Sequence, residues 1–140
     1  MILRASDVAD LQYVLMDSVR RYGATSGMTL EMRDDLLASA AALDYALLLS
    51  SENGDEPFDG AAPVAATLRD TMTRAAISAL DFATQMLRAP KHVLEDFLEH
   101  HARESGLFDV LRSLRGSGVL TSDEVSFRAL TLANDLRDRN

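Results

Sequence analysis

Two histidines and an aspartate in the second half of the sequence have the spacing of metal ligands on a helix. His92, Asp96 and His100 recur every four residues, which places their side chains on one helical face. Imidazole nitrogens and carboxylate oxygens on a shared face can bind a divalent metal. The same positions form the polar face of an amphipathic segment, where charged residues are expected without any ligand. We therefore expect no bound metal or other cofactor, and keep these three residues as a weak candidate site.

The same segment also has a feature of phosphoryl transfer to histidine. Arg103 stands three residues after His100, a spacing found in histidine phosphotransfer domains, which are small helical bundles. Glu104 stands where those domains have a small residue, and its charge would repel a phosphoryl group. The sequence has none of the glycine-containing motifs of serine hydrolases, P-loop proteins or dinucleotide-binding proteins. An enzyme is thus the less favoured class. The alternative function is a metal-binding or phosphotransfer protein that uses the His92, Asp96 and His100 face.

The composition favours a single helical domain that spans residues 1–140. Only three prolines and seven glycines occur in the 140 residues, and 47% of the residues are hydrophobic. A chain of this length can bury a core without a disulfide or a metal. The sequence has no cysteine and no apolar run long enough to span a membrane. We expect a cytoplasmic protein that makes no membrane contact.

The charge of the chain disfavours some partners and favours others. The net charge is −8, and residues 51–63 contain four acidic residues and no basic one. Phosphate backbones and anionic lipid surfaces would repel such a protein, so we expect no direct binding to nucleic acid. A protein with a basic surface is the partner that this charge favours.

Two long segments rich in alanine and leucine predict the centre of the fold. They cover about residues 29–51 and 61–89, and the acidic stretch joins them. Each contains nearly the same five residues, Ala42–Ala46 in the first and Ala79–Ala83 in the second. Apolar residues recur at helical spacing in both segments, so we predict a central antiparallel helical hairpin. With further helices at about residues 6–21, 91–105 and 107–115 and from 121 onward, the fold class is an all-α bundle of five or six helices.

One charge on each arm of the hairpin interrupts the apolar pattern. Asp44 is the only charged residue between Leu36 and Leu49, and Arg69 lies in the apolar arc of the second segment. Both lie about seven residues from the joining stretch, so the hairpin would place them at the same level. An unpaired carboxylate among leucines is unfavourable. We predict a partly buried ion pair between Asp44 and Arg69 that fixes the register of the two helices, with solvent exposure of both residues as the alternative.

The first helix has an outer face that suits contact with another protein. Its core-facing arc is apolar, and the opposite side carries Tyr13, Met16 and Arg20. These residue types are enriched at protein interfaces. Together with Phe58 in the acidic stretch, they are the predicted partner-binding residues. The sequence thus favours a small non-catalytic protein-binding module, an adaptor, regulator or inhibitor, and homodimerisation through the first or last helix is equally compatible.

Overall fold

The computed structural model of the chain describes residues 5–24, 28–51, 63–116 and 123–139. Within these ranges every regular element is a helix, which confirms the all-α bundle. None of these helices combines the length and apolarity needed to cross a lipid bilayer. The six helices, in chain order, are α1 Ala5–Tyr22, α2 Leu30–Ser51, α3 Pro63–Leu87, α4 Lys91–Ser105, α5 Leu107–Gly116 and α6 Asp123–Arg139.

Local chemistry accounts for several of the helix ends. The Thr29 hydroxyl accepts a hydrogen bond of 3.1 Å from the Met32 backbone N–H, which caps the start of α2. α3 begins at Pro63, where the missing N–H leaves no unsatisfied donor. α4 ends at Gly106, which adopts a left-handed φ of 74° and donates its N–H to the Ala102 carbonyl. These signals are local, and the predicted bounds of α2 and α4 agree with the structure.

A π turn interrupts α4 in its middle. The helix is α-helical over Lys91–Asp96, π-helical over Phe97–His101 and α-helical again over Ala102–Ser105. The Ala102 N–H donates to the Phe97 carbonyl, five residues earlier. In a regular α-helix, side chains four residues apart do not point in quite the same direction. The π turn is wider than an α turn and offsets this difference. Phe97 and His101 consequently both point into the core, and both are fully buried.

The helices pack in the order α6, α3, α2, α1, α5, and α4 contacts α1 and α3 at one end. The α2–α3 hairpin therefore lies inside the bundle, as predicted. Its two arms meet through the Ser39 and Ser78 hydroxyls, 2.8 Å apart, and Ser78 also donates to Asp35 at 2.8 Å. α1 packs on α2 as extensively as α3 does. The core is consequently built around three long helices rather than two.

Alanines on α3 allow this close packing. Ala75, Ala76, Ala79 and Ala83 are at most 1% exposed, because α1, α2, α4 and α6 all contact this helix. The repeated five-residue motif therefore has different roles in the two arms of the hairpin. Ala79 is buried in α3, but its counterpart Ala42 in α2 is exposed.

This difference predicts that the same substitution affects stability at one of these positions but not at the other. Ala79→Leu forces a larger side chain into a filled core and should lower the free energy of unfolding by about 1–3 kcal/mol. Ala42→Leu makes the same change at an exposed helical position and should leave stability nearly unchanged. Urea unfolding followed by circular dichroism measures both. Equal losses in the two variants would contradict the central position of α3.

Candidate partner-binding surface

Tyr13 and Met16 project from the outer face of α1. Their side chains are 55% and 48% exposed, although both are large and largely apolar. The opposite face of the helix fills the core, so these residues cannot turn inward. That inner face consists of Val8, Leu11, Val14, Leu15, Ser18 and Tyr22.

Three adjoining surface depressions flank these two side chains. Tyr13 borders the α1–α5 and α1 depressions, and Met16 borders the α1 and α1–α2 depressions. The α1–α5 depression, of about 260 Å³, is lined by Asp10, Tyr13, Ser105, Gly106, Asp109, Val110 and Ser113. The α1 depression, of about 400 Å³, is lined by Tyr13, Met16, Asp17, Val19 and Arg20. The α1–α2 depression, of about 410 Å³, is lined by Gln12, Met16, Leu37, Ala40, Ala41 and Asp44.

Arg20 lies at one end of this surface and pairs within its own helix. Its guanidinium forms an ion pair with the Asp17 carboxylate, one turn earlier. The Arg20 side chain is 76% exposed, but that of Asp17 is only 8% exposed. The structure thus places the predicted residues Tyr13, Met16 and Arg20 along one depression. Phe58, the fourth predicted partner-binding residue, lies outside the described residues.

Asp44 contacts α1 rather than α3. The Gln12 amide of α1 donates to the Asp44 carboxylate and also to the Ala40 carbonyl, the latter at 2.9 Å. Asp44 and Arg69 are both exposed. The structure therefore does not bring them together as the partly buried ion pair expected from the hairpin. The physical reason is that α1 covers this edge of α2, so the Gln12 amide reaches the exposed Asp44 carboxylate.

A fully buried histidine lies behind the α1 depression. His101 Nε2 is 2.9 Å from the Ser18 hydroxyl, and Nδ1 is 3.0 Å from an Asp17 carboxylate oxygen. The Ser18 hydroxyl is also 2.7 Å from the Val14 carbonyl. The carboxylate lies off the Nδ1–H direction, so its contact with the ring lacks hydrogen-bond geometry.

Burial favours the neutral form of this histidine. Desolvation lowers the pKa of His101 below its ordinary value, and the Asp17 carboxylate opposes that shift. The Ser18 hydroxyl donates its one proton to the Val14 carbonyl, so its oxygen can accept a hydrogen bond from Nε2–H of the neutral ring.

The order hydroxyl, imidazole and carboxylate is also that of a catalytic nucleophile, base and orienting acid. Ser18 is 0% exposed and lines none of the three depressions, so a substrate has no path to its oxygen there. The three groups therefore hold α4 against α1. His101 follows Phe97 by one helical turn, so helical spacing predicts that it faces the core, whereas Ser18 lies within the apolar arc of α1 and nothing in the sequence indicates its role.

The weak candidate metal ligands are used in a different way. Arg21 binds the Asp96 carboxylate through Nε at 3.2 Å and Nη2 at 3.1 Å, and the Tyr22 hydroxyl donates to it at 2.6 Å. These bonds lower the pKa of Asp96, with the Arg21 bond the largest cause. His92 and His100 are exposed. Among the residues that the structure describes, no group of three or more His, Asp or Glu side chains is arranged to hold a metal ion.

The Asp96 contacts predict a stabilising role that histidine substitution does not share. Asp96→Asn removes the charge that Arg21 and Tyr22 hold, and should lower the free energy of unfolding by about 1 kcal/mol at neutral pH, because the group is partly exposed. The difference should vanish in acid, below the lowered pKa of Asp96, where the wild-type carboxyl is protonated. His92→Gln is the control and should unfold like the wild type. A larger loss in that control would point to a role for the histidine face.

The buried histidine predicts a pH dependence of stability. A lowered pKa means that the folded protein favours neutral His101, so this contribution is full above the ordinary value of 6.5 and is lost as the pH falls through the lowered pKa. The wild type should therefore lose stability between about pH 7 and about pH 5 more steeply than His101→Phe. The double variant His92→Gln/His100→Gln, which changes only exposed rings, should keep the wild-type slope. A wild-type slope in His101→Phe would contradict the assignment.

Comparison with known proteins identifies no relative of this chain. No family model, no curated protein and no solved structure matches it. What the protein does has therefore to be inferred from its surface and its residues.

Proposed function

We propose that the chain is a non-catalytic protein-binding module that docks a partner on the outer face of α1. The observation that carries this proposal is the position of Tyr13 and Met16, each of which is shared by two adjoining depressions. Large apolar side chains that stand beside grooves are typical anchors for a partner. An adaptor, a regulator or an inhibitor would use such a surface.

The apolar character of this surface continues onto α2. Leu37 and Ala41 share the α1–α2 depression with Met16. Farther along α2, Leu30 and Leu48 are 71% and 62% exposed, at helical spacings that extend the same stripe. An apolar stripe of this kind, bordered by Asp44, suits the apolar face of a partner helix.

Other exposed apolar residues lack these surroundings. Phe127 and Leu130 on α6 are 70% and 60% exposed, but they line none of the three depressions. Single exposed apolar residues are common on protein surfaces and need no partner. The α6 residues therefore serve better as a control than as a second candidate site.

Acidic groups around the α1 surface favour a basic partner. Asp10 and Asp109 border one side of it, and Asp44 borders the other. A second copy of the chain docked through the same face would bring these like charges together, which disfavours homodimerisation through α1. A partner with an apolar centre and a basic rim complements the surface in both respects.

Truncation of the anchors tests the proposal. The double variant Tyr13→Ala/Met16→Ala should fold with unchanged helicity, because both residues are exposed, but should lose its partner. Each anchor in a protein interface commonly contributes about 2 kcal/mol, so a loss of affinity of at least about a hundredfold is expected. The measurement is affinity purification from the native host, followed by titration of the recovered protein.

The matched control truncates two other exposed apolar side chains elsewhere on the surface. Phe127→Ala/Leu130→Ala should bind the recovered protein as the wild type does. Retained binding in the Tyr13/Met16 variant, or loss in the α6 variant alone, would move the interface away from α1.

A further inference from the structure

The α1–α2 depression is a groove between two helices that pack closely on each other. Met16 of α1 and Leu37, Ala40 and Ala41 of α2 give it an apolar lining. The two alanine side chains end at Cβ, so the backbone of α2 lies near the protein surface here. The distance between packed helices depends on the side chains at their contact, so a third helix can approach α2 closely along this groove.

The groove exists before a partner arrives. The Gln12 amide of α1 donates to the Asp44 carboxylate of α2, and also to the Ala40 carbonyl at 2.9 Å. All three residues line the groove, so these bonds join its two sides. A site that is already formed loses little conformational entropy when a ligand binds.

The apolar lining continues in a straight line along the outer face of α2. Leu30, Leu37, Ala41 and Leu48 are all exposed, and at 3.6 residues per turn they fall within an arc of about 40°. From Leu30 to Leu48 the line is about 27 Å long at 1.5 Å per residue. A narrow apolar line with this spacing complements the apolar stripe of a second helix packed along it.

The charges beside this line determine which helix fits. Asp34 and Asp44 are exposed, and helical spacing places them on opposite edges of the line. The Gln12 amide is neutral, so its hydrogen bond does not neutralise Asp44. Arg20, an exposed cation of the α1 surface, pairs with Asp17. Both edges of the line are therefore negative, which favours a cationic helix and opposes a second copy of the same face.

We propose that a basic amphipathic helix of the protein partner lies in the α1–α2 depression and along the outer face of α2. Its apolar residues, at spacing i, i+4, i+7 and i+11, contact Met16, Leu37 and Ala41. Its lysines or arginines flank that stripe and face Asp34 and Asp44. The inference rests on the proposed function, and it identifies the binding element of the partner as one helix of about five turns.

A synthetic peptide tests the groove without the natural partner. The probe has about 18 residues, with leucines at spacing i, i+4, i+7 and i+11 and lysines on both flanks. Titrated into the full-length protein, it should bind saturably at micromolar concentration and shift the amide resonances of Leu37 and Ala41. Absence of saturable binding, or shifts confined to other helices, would overturn the proposal.

Two further peptides separate helix recognition from charge attraction. A central proline keeps the leucines and lysines but breaks the helix, and should weaken binding at least about tenfold. Replacement of every lysine by glutamate keeps the apolar stripe and should abolish saturable binding, because Asp34 and Asp44 repel it. Undiminished binding of either peptide would contradict a basic helix as the occupant.

Neighbouring alanines on α2 provide a matched pair of variants. Ala41 and Ala42 are both exposed, but only Ala41 lines the α1–α2 depression. Ala41→Arg places a long cation in the groove and should weaken binding of the lysine peptide at least about tenfold. Ala42→Arg adds the same charge about 100° around the helix and should keep the wild-type affinity. Both variants should retain the wild-type helicity, and equal affinities in the two would overturn the assigned groove.

A second copy of the chain is the alternative occupant. Sedimentation should find a monomer for both the wild type and Ala41→Arg. A wild-type dimer that Ala41→Arg dissociates would show that a second copy, and not a partner helix, fills the groove.

Failure of this inference is distinguishable from failure of the proposed function. If the recovered partner binds Ala41→Arg as tightly as Ala42→Arg but is lost from Tyr13→Ala/Met16→Ala, the helix site is wrong and the α1 surface stands. If the partner also survives the Tyr13/Met16 change, the proposed function falls.

Discussion

The burial of His101 against α1 is the contact on which the arrangement of the helices depends. Its ring meets Tyr22, Phe82 and Phe97 at centroid distances of 5.3, 5.8 and 5.9 Å, and the first two contacts are edge-on. These residues come from α1, α3 and α4, so one cluster joins three helices. Edge-on aromatic contacts contribute beyond their buried area. The Ser18 hydroxyl satisfies the ring on its polar side, which makes full burial of an imidazole tolerable.

This inward contact determines what α1 presents to solvent. Arg21 and Tyr22 bind Asp96 of α4, and Gln12 binds α2, so both edges of α1 are held by its neighbours. The helix has little freedom to rotate, and Tyr13 and Met16 must therefore face outward. A rigid helix with exposed anchors loses little conformational entropy on binding, which favours its use as a docking surface.

Much of this fold follows from periodicity, and its specific contacts do not. The helical spacing of apolar residues predicts all six helices, and Leu36 and Met72, which follow that spacing, are buried in the structure. The same pattern cannot tell which neighbour covers a helix edge. Asp44 was expected to meet Arg69, but the packing of α1 on α2 supplies Gln12 instead.

The π turn in α4 is a second feature that sequence periodicity does not predict. Leu98 stands among the apolar residues of α4, so helical spacing predicts that it faces the core, but the structure leaves it 36% exposed. A π turn depends on how Phe97 and His101 pack against other helices, and that information is not local. The outer face of α1 was recognisable because residue type and helical position agreed there. The depressions beside it depend on α2, α4 and α5, so only the folded chain reveals them.

The most direct measurement of the central claim is the methyl spectrum of the methionines, with and without the recovered partner. Met16 is 48% exposed on α1, whereas Met72 and Met86 are 0% exposed in α3. Binding on the outer face of α1 should shift and broaden the Met16 methyl resonance and leave those of Met72 and Met86 nearly unchanged. A Met16 resonance that stays in place when the partner is fully bound would contradict the account.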